Sequence, residues 1–255
     1  MLDPGALPPW PLVILAFGVA FLYSSVGFGG GSGYLAAMSL FAISTQLIAS
    51  TALTLNILAA SIAFVTYWQS GYFEATLLWP FLLTSIPASF LGGYLHLPDT
   101  IYLIILYAAL AYVGVQLLFW DRTLRRTTGP KRFSWVAILV SGFLIGLLSG
   151  LVGLGGGIFL SPLIVLAGWG TPKQAAAASA GFIVINSASG LLGRLLGGTF
   201  LLGTLGMALL PAGLAGAIIG SQLGARYLSG PFLRRILGVI LLLTVLSYLY
   251  QTLSP

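Results

Sequence analysis

The chain has 255 residues, of which only 10 are basic and 4 are acidic, and 58% of its residues are hydrophobic. Charged residues make up 5% of the sequence, against about 25% in a typical soluble domain. Too few polar residues remain to cover a water-exposed fold, or to form the basic surface on which nucleic-acid binders depend. The composition predicts an all-α protein that crosses the lipid bilayer several times.

Apolar runs follow one another along the chain, each long enough to cross about 30 Å of hydrocarbon as a helix. Tryptophan and tyrosine lie near several of their ends, as in the aromatic belt of membrane proteins. The runs cover residues 10–41, 46–67, 76–95, 101–120, 135–168, 174–193, 200–225 and 232–250.

The chain divides into two related halves, 1–120 and 135–255, separated by a basic linker at 121–134. The motif V-G-x-G-G-G occurs at Val26–Gly31 and again, 126 residues later, at Val152–Gly157. Two weakly similar halves are typical of secondary transporters. We therefore predict a bundle of two transmembrane repeats joined by a cytoplasmic linker.

The two glycine-rich runs, 10–41 and 135–168, are too long for one crossing, and their glycines lie in the middle. Each glycine weakens a helix by about 1 kcal/mol relative to alanine, so both helices are predicted to break at membrane depth. Irregular backbone at that depth is tolerated only where protein or a water-filled cavity covers it. Each run then either crosses and returns or forms a re-entrant hairpin.

The basic residues favour this returning arrangement. If both glycine-rich runs return to the side on which they began, nine of the ten basic residues lie on the side of the linker, and Arg194 alone does not. If every run crosses once, the split is six to four. Because cytoplasmic loops are enriched in Lys and Arg, we predict two inverted repeats in the inner membrane of a bacterial-type cell.

The duplicated motif is the strongest candidate for a binding site. A broken helix exposes backbone N–H groups where its second piece begins, and glycine lets an anion approach them closely. Close helix packing through small residues is the alternative interpretation, but matched breaks in two repeats favour a transport site. The candidate substrate-binding glycines are Gly27, Gly29, Gly30, Gly31, Gly153, Gly155, Gly156 and Gly157.

Three polar side chains complete the candidate site. Asn56 and Asn186 lie near the middle of the second run of each half, 130 residues apart. Arg194 lies in an apolar run with no partner charge nearby in the sequence. Intramembrane ionisable residues tend to be functional, although an arginine near a helix end can also extend to the membrane surface. Since these candidates are mainly donors, they favour an anion over a cation.

The sequence gives little support for a catalytic site or a metal site. The chain has one histidine, His96, and no cysteine, so no nucleophile with its base can be assembled, and we predict neither an enzyme nor a cofactor. His96, Asp99 and Glu74 lie near the ends of apolar runs and are interpreted as ordinary loop residues. No nucleotide-binding P-loop motif is present, so transport is predicted to be secondary rather than ATP-driven.

The order of these features resembles the TauE/SafE family of sulfite exporters. The resemblance covers essentially the whole chain and rests on the duplicated motif, on Ser161-Pro162 after its second copy, and on the glycines that end the third runs, Gly92-Gly93 and Gly220. The first half departs from the pattern, because Leu35-Ala36 stands where Ser161-Pro162 does in the second.

The resemblance implies transport of small sulfur-containing anions such as sulfite, sulfoacetate or other sulfonates, bound near the midplane between the repeats. An anion channel of the same architecture is the nearest alternative, and a membrane-embedded enzyme is a more distant one. The expected partners are the anionic substrate and the lipid bilayer, without nucleic acid. The coupling ion, a proton or another ion, and the oligomeric state are left open.

Overall fold

The computed structural model describes residue 5 and residues 7–41, 43–124, 134–226 and 230–253. Within these ranges the chain forms α-helices and one short 3-10 turn at Ala75–Leu77, which confirms the predicted all-α, multi-pass architecture. The helices are α1 (Trp10–Ser24), α2 (Gly31–Ser39), α3 (Thr45–Gln69), α4 (Trp79–Tyr94), α5 (Asp99–Leu124), α6 (Trp135–Val152), α7 (Gly157–Leu166), α8 (Pro172–Leu196), α9 (Gly203–Arg226) and α10 (Gly230–Leu253).

Both glycine-rich runs are broken, as predicted. The first break is residues 25–30, between α1 and α2, and the second break is residues 153–156, between α6 and α7. The helices that follow the breaks are short, with 9 residues in α2 and 10 in α7. At 1.5 Å per residue they extend about 14–15 Å, half the thickness of the hydrocarbon core. Five other described helices, α3, α5, α6, α8 and α9, are long and apolar enough to cross a membrane.

The two halves are intertwined. The first helix of each half packs against the fourth helix of the other, so that α1 lies along α9 and α6 lies along α4. The third helices, α3 and α8, pack against each other, as do the fifth helices, α5 and α10. Exchanging the two halves therefore reproduces the same set of helix pairings. Helices α3 and α8, the two most buried spans, occupy the centre.

Stripes of glycine allow the intertwined helices to approach closely. A methyl group on Gly142 would lie 2.6 Å from the carbonyl oxygen of Phe81, and backbone atoms give way less readily than side chains do. Residues four apart lie on one face of a helix, and small residues there are typical of membrane helix packing. Packing is thus the role of these two stripes, which are Gly142, Gly146 and Gly150 on α6 and Gly216, Gly220 and Gly224 on α9.

Contacts at the helix ends bear on the number of crossings. Lys173, at the start of α8, donates a hydrogen bond of 3.0 Å to the hydroxyl of Tyr72, which follows α3. Eight single crossings would place these two residues on opposite sides of the membrane, whereas the returning arrangement places them on the same side. The inversion of the halves and the side on which the linker lies stay predictions.

The linker is described only in part. Helix α5 continues to Leu124, so the start of the predicted linker 121–134 is helical. The remainder up to residue 133 lies outside the described residues, and so does the loop at 227–229.

Candidate substrate-binding site

The first and second breaks meet beside Asn56, the twelfth of the 25 residues of α3. A methyl group on Gly29 would lie 2.9 Å from Oδ1 of Asn56, and one on Gly155 would lie 2.7 Å from its Nδ2. The same two positions lie 3.0 and 2.9 Å from Cγ2 of Ile183, the twelfth of the 25 residues of α8. The breaks therefore converge, fully buried, at half the height of the two central helices.

The glycines at the breaks reveal which residues of α3 and α8 correspond. A methyl group on Gly27 would lie 2.5 Å from Cβ of Ala176, and one on Gly153 would lie 3.0 Å from the carbonyl oxygen of Ala49. Each break thus packs on the central helix of the opposite half. Equivalent positions in α3 and α8 are 127 residues apart, as 49 and 176 are.

The two asparagines are not equivalent, so their predicted pairing is wrong. The offset of 127 residues matches Asn56 with Ile183, and Asn186 lies about one helical turn further along α8. Nδ2 of Asn186 donates to the carbonyl of Phe182 in its own helix at 3.0 Å. Its backbone carbonyl accepts a hydrogen bond of 2.7 Å from the hydroxyl of Ser89. Asn56 alone lies between the breaks.

Side chains from three helices bind the carbonyl groups at the end of α6. The last four carbonyls of an α-helix have no partner within the helix, and here the acceptors are residues 150–153. Arg194 of α8 donates to the first two at 3.2 and 2.6 Å. Tyr102 of α5 donates to the third at 3.0 Å. Asn56 donates to the fourth at 3.3 Å.

The end of α1 is bound in the same way at the first break. The hydroxyl of Tyr67 donates to the carbonyl of Ser25 at 3.3 Å. Tyr67 and Arg194 are 127 residues apart and each is the twenty-third of 25 residues in its helix, so they are equivalent. A neutral tyrosine in one half and a charged arginine in the other therefore perform the same capping task.

The starts of α2 and α7 differ from these helix ends, because no side chain caps them. The N-cap residues Gly30 and Gly156 have φ values of +102° and +77°, a left-handed conformation that glycine adopts readily. The first N–H groups of a helix have no acceptor within it, and the N-terminus carries about half a positive elementary charge. Among the described residues, side chains therefore bind the backbone carbonyls at the ends of α1 and α6, whereas no side chain caps the backbone N–H groups at the starts of α2 and α7.

Two further polar atoms lie at the meeting point. The hydroxyl oxygen of Ser187 would lie 3.2 Å from a methyl group on Gly155, next to Asn56. This hydroxyl and Oδ1 of Asn56 are buried and have no hydrogen-bond partner among the described residues. An unsatisfied buried polar group costs about 1–3 kcal/mol, and a ligand bound at the breaks would offset that cost for these two atoms.

Comparison with known proteins identifies the family. The sequence model of the family described as sulfite exporter TauE/SafE matches residues 12–248. The chain belongs to the TauE/SafE family. A relative from Sinorhizobium fredii (strain NBRC 101917 / NGR234), described as "Probable membrane transporter protein y4hK", is 37% identical over 243 residues, which cover 94% of this chain and 97% of the relative. No solved structure matches the chain. The resemblance read from the motifs is confirmed, and the chain is a multi-pass membrane transporter.

In this TauE/SafE transporter, Arg194 points into the protein. Its side chain is only 6% exposed although it lies near the end of α8. Side chains on a helix lean toward its N-terminus, so from this position the guanidinium reaches back to the end of α6. The alternative that Arg194 extends to the membrane surface is wrong. Its hydrogen bonds lie within one turn of the second break, and they do not involve Asn56.

Sequence reasoning missed Tyr102, Tyr67 and Ile183 in this TauE/SafE transporter. The two tyrosines resemble the many interfacial tyrosines of a membrane protein, and the isoleucine resembles any lipid-facing residue. Tyr67 and Ile183 each lie 127 residues from a residue that the sequence did single out, Arg194 and Asn56. That offset differs by one from the offset of the glycine motifs, and it emerges only from the packing.

Proposed function

We propose that this transporter is a secondary carrier for small sulfur-containing anions, such as sulfite, sulfoacetate or other sulfonates, in the inner membrane of a bacterial-type cell. The anion binds near the midplane, between α3 and α8, at the starts of α2 and α7. One observation carries this proposal: at both breaks the helix carbonyls are bound by side chains, while neither following helix has a side-chain cap.

The chemistry of a sulfite or sulfonate group suits such a site. A buried anion requires several hydrogen bonds to replace its hydration, and hydrogen bonds to a charged acceptor are the strong ones. Three sulfur-bound oxygens accept from the N–H groups that begin α2 and α7, and from the second amide N–H of Asn56 and the hydroxyl of Ser187. The glycines at the breaks leave room for this approach, because a methyl group on Gly29 or Gly155 would contact Asn56.

Access to this site requires motion of the protein. Gly29, Gly155, Asn56 and Ser187 are all buried in this conformation. A carrier reaches its midplane site by rocking one half against the other, so that the site opens to one side at a time. A proton or another ion that moves with the anion would offset part of its charge.

Flux through proteoliposomes tests this proposal. The purified chain is expected to take up sulfite with saturable kinetics, and sulfite or sulfoacetate inside the vesicles is expected to accelerate uptake by countertransport. Flux that rises linearly with concentration and lacks countertransport would identify an anion channel of the same architecture instead. Vesicles that transport none of sulfite, sulfoacetate and thiosulfate would contradict the assignment to sulfur-containing anions.

Gly29→Ala places a methyl group in the proposed site without straining the backbone there. Gly29 is not among the residues with positive φ, so alanine fits its backbone, and the nearest atom is the side-chain oxygen of Asn56 at 2.9 Å. Loss of one N–H bond to a charged acceptor removes about 1.5–3 kcal/mol, so sulfite affinity is expected to fall about 10- to 150-fold.

Gly18→Ala is the matched control, because a methyl group on Gly18 meets nothing within 4 Å. Affinity and melting temperature are measured on the same sample of each variant. Gly18→Ala is expected to melt and to bind sulfite like the wild type, whereas Gly29→Ala is expected to bind sulfite weakly even where its folded state is retained. A lowered melting temperature with wild-type affinity in Gly29→Ala would assign this glycine to packing.

A further inference from the structure

A small polar cavity lies at one end of the bundle, away from the meeting point of the breaks. Its volume is about 50 Å³. Arg194, Tyr102 and Thr199 line its buried end, and Gln46, His96 and Asp99 line its exposed end. We call it the outer cavity. It adjoins Leu151, whose carbonyl accepts from Arg194 two residues before the second break, so it lies between the bundle surface and the breaks.

The charge of Arg194 is more than its structural task requires. In the other half Tyr67, a neutral residue, binds the equivalent carbonyl. Arg194 is the only charged side chain that is buried among those whose surroundings the structure describes, and burying a charge in a membrane protein is expensive. Its Nε is buried without a hydrogen-bond partner among the described residues. Arg194 lines the outer cavity, so a ligand that uses its charge and its unused donor is an anion.

The size of the outer cavity restricts the ligand. A volume of about 50 Å³ holds a few non-hydrogen atoms, given that a cavity needs about 10–15 Å³ to hold one water. An inorganic oxyanion of four atoms fits inside it, whereas sulfoacetate would have to extend its carboxylate to the rim, beside the carboxylate of Asp99. Asp99 lies at the exposed rim, where its carboxylate accepts a hydrogen bond from Thr45 and where water and salt screen its charge.

We propose that the outer cavity is a second anion site, which binds a small inorganic oxyanion such as sulfite on its way between the bundle surface and the breaks. This inference rests on the proposed function, because it adds an outer site to the same transport route. Arg194 binds the anion through Nε at the buried end. Asp99 repels the anion at the rim and so keeps the outer site weak enough to release it.

The test measures how many anions bind per chain, using the purified full-length transporter and isothermal titration with sulfite or sulfoacetate. The wild type is expected to bind two sulfites but only one sulfoacetate. Arg194→Gln is expected to weaken one of the two sulfite sites about 10- to 150-fold and to leave sulfoacetate binding unchanged. Lys173→Gln is the matched control, since it removes an exposed cation at the opposite end of the bundle and is expected to change neither.

Asp99→Asn provides a test that leaves the end of α6 untouched. It removes the rim charge, so sulfite is expected to bind the outer site several-fold more tightly at low ionic strength. If Arg194→Gln does not fold, sulfite binding to Asp99→Asn alone tests the outer site. Tighter sulfite binding supports the outer site, and unchanged or weaker binding overturns it.

Failure of this inference differs from failure of the proposed function. One sulfite per chain, kept in Arg194→Gln and lost in Gly29→Ala, would overturn the outer site and leave the central site intact. Loss of both sulfite and sulfoacetate binding in Arg194→Gln, with an unchanged melting temperature, would place Arg194 in a single shared site and also overturn it. No binding of either anion to the wild type would overturn both proposals.

Discussion

At residues 30 and 156, both the backbone conformation and the lack of space for a side chain require glycine. Their positive φ values make any other residue strained, at a cost of about 1–3 kcal/mol. A methyl group would also lie 2.8 Å from the ring of Tyr34 at Gly30, and 2.8 Å from side-chain atoms of Ile145 and Phe182 at Gly156. Substitution here tests stability rather than anion binding, which is why Gly29 is the better probe of the site.

We therefore expect Gly30→Ala to lower the melting temperature more than Gly71→Ala does. Gly71 also has a positive φ, +76°, but a methyl group there meets nothing within 4 Å. The control carries the backbone penalty alone, whereas Gly30→Ala adds the clash with Tyr34. Thermal unfolding of the purified variants measures both. Equal shifts would mean that Tyr34 moves aside without loss and that backbone conformation alone requires the glycine.

Asn56 and Asn186 are expected to differ in function although the sequence presents them alike. Asn56 donates to the second break and faces glycines of both breaks, whereas Nδ2 of Asn186 bonds within its own helix. Asn56→Ala should therefore weaken sulfite binding about tenfold or more, and Asn186→Ala should change it by no more than a few-fold. Titration of both variants checks this, and a larger loss in Asn186→Ala would move the site one turn along α8.

At the scale of helices, the sequence predicts features that depend on local composition and misses those that depend on packing. Both breaks follow from clustered glycines, since the loss of helix propensity is a local property. The register of α3 against α8 is set by which residues the breaks contact, Ala49 and Ala176, and nothing local reveals it. The direction of Arg194 likewise follows from where α6 ends.

The glycine stripe on α6 should tolerate no large side chain. A methyl group on Gly142 would already lie 2.6 Å from a backbone carbonyl of α4, so Gly142→Leu must push the helices apart. Overpacking of this kind typically costs 1–3 kcal/mol or more. Size-exclusion chromatography after purification is expected to show little folded protein, whereas Gly18→Leu, which faces open space, should purify like the wild type. Equal yields would show that α4 and α6 are not held at this distance.

At the scale of the whole molecule, the two halves are related without being identical. Helices α5, α6 and α7 border an open apolar groove of about 780 Å³ on the side of the bundle, and their counterparts α10, α1 and α2 border one of about 240 Å³. Equivalent helices thus lie at different separations in the two halves. For the proposed carrier with predicted inverted halves, such a difference would let the central site open toward one side of the membrane at a time.

The path of the chain through the membrane follows from which helix ends lie together. The contact between Lys173 and Tyr72 joins the start of α8 to the end of α3. Thr45, Asp99 and Thr199 line one cavity, which joins the start of α3, the start of α5 and the end of α8. Eight single crossings would separate Lys173 from Tyr72, and Thr199 from both Thr45 and Asp99, by the full thickness of the membrane. The returning arrangement keeps them together.

Single cysteines test this arrangement, and the chain contains no native cysteine to interfere. Ser70, Lys173, Thr100 and Phe200 are exposed, and Thr127 in the linker serves as the reference for the cytoplasmic side. An impermeant thiol reagent added outside intact cells is expected to label cysteine at Thr100 and Phe200, and to label cysteine at Ser70, Lys173 and Thr127 only after the cells are opened. This result is expected because loops rich in basic residues lie on the cytoplasmic side, and because the paired helix ends place the other residues relative to those loops. If cysteine at Lys173 is labelled from outside while cysteine at Phe200 is protected, the chain makes eight single crossings and its halves are not inverted.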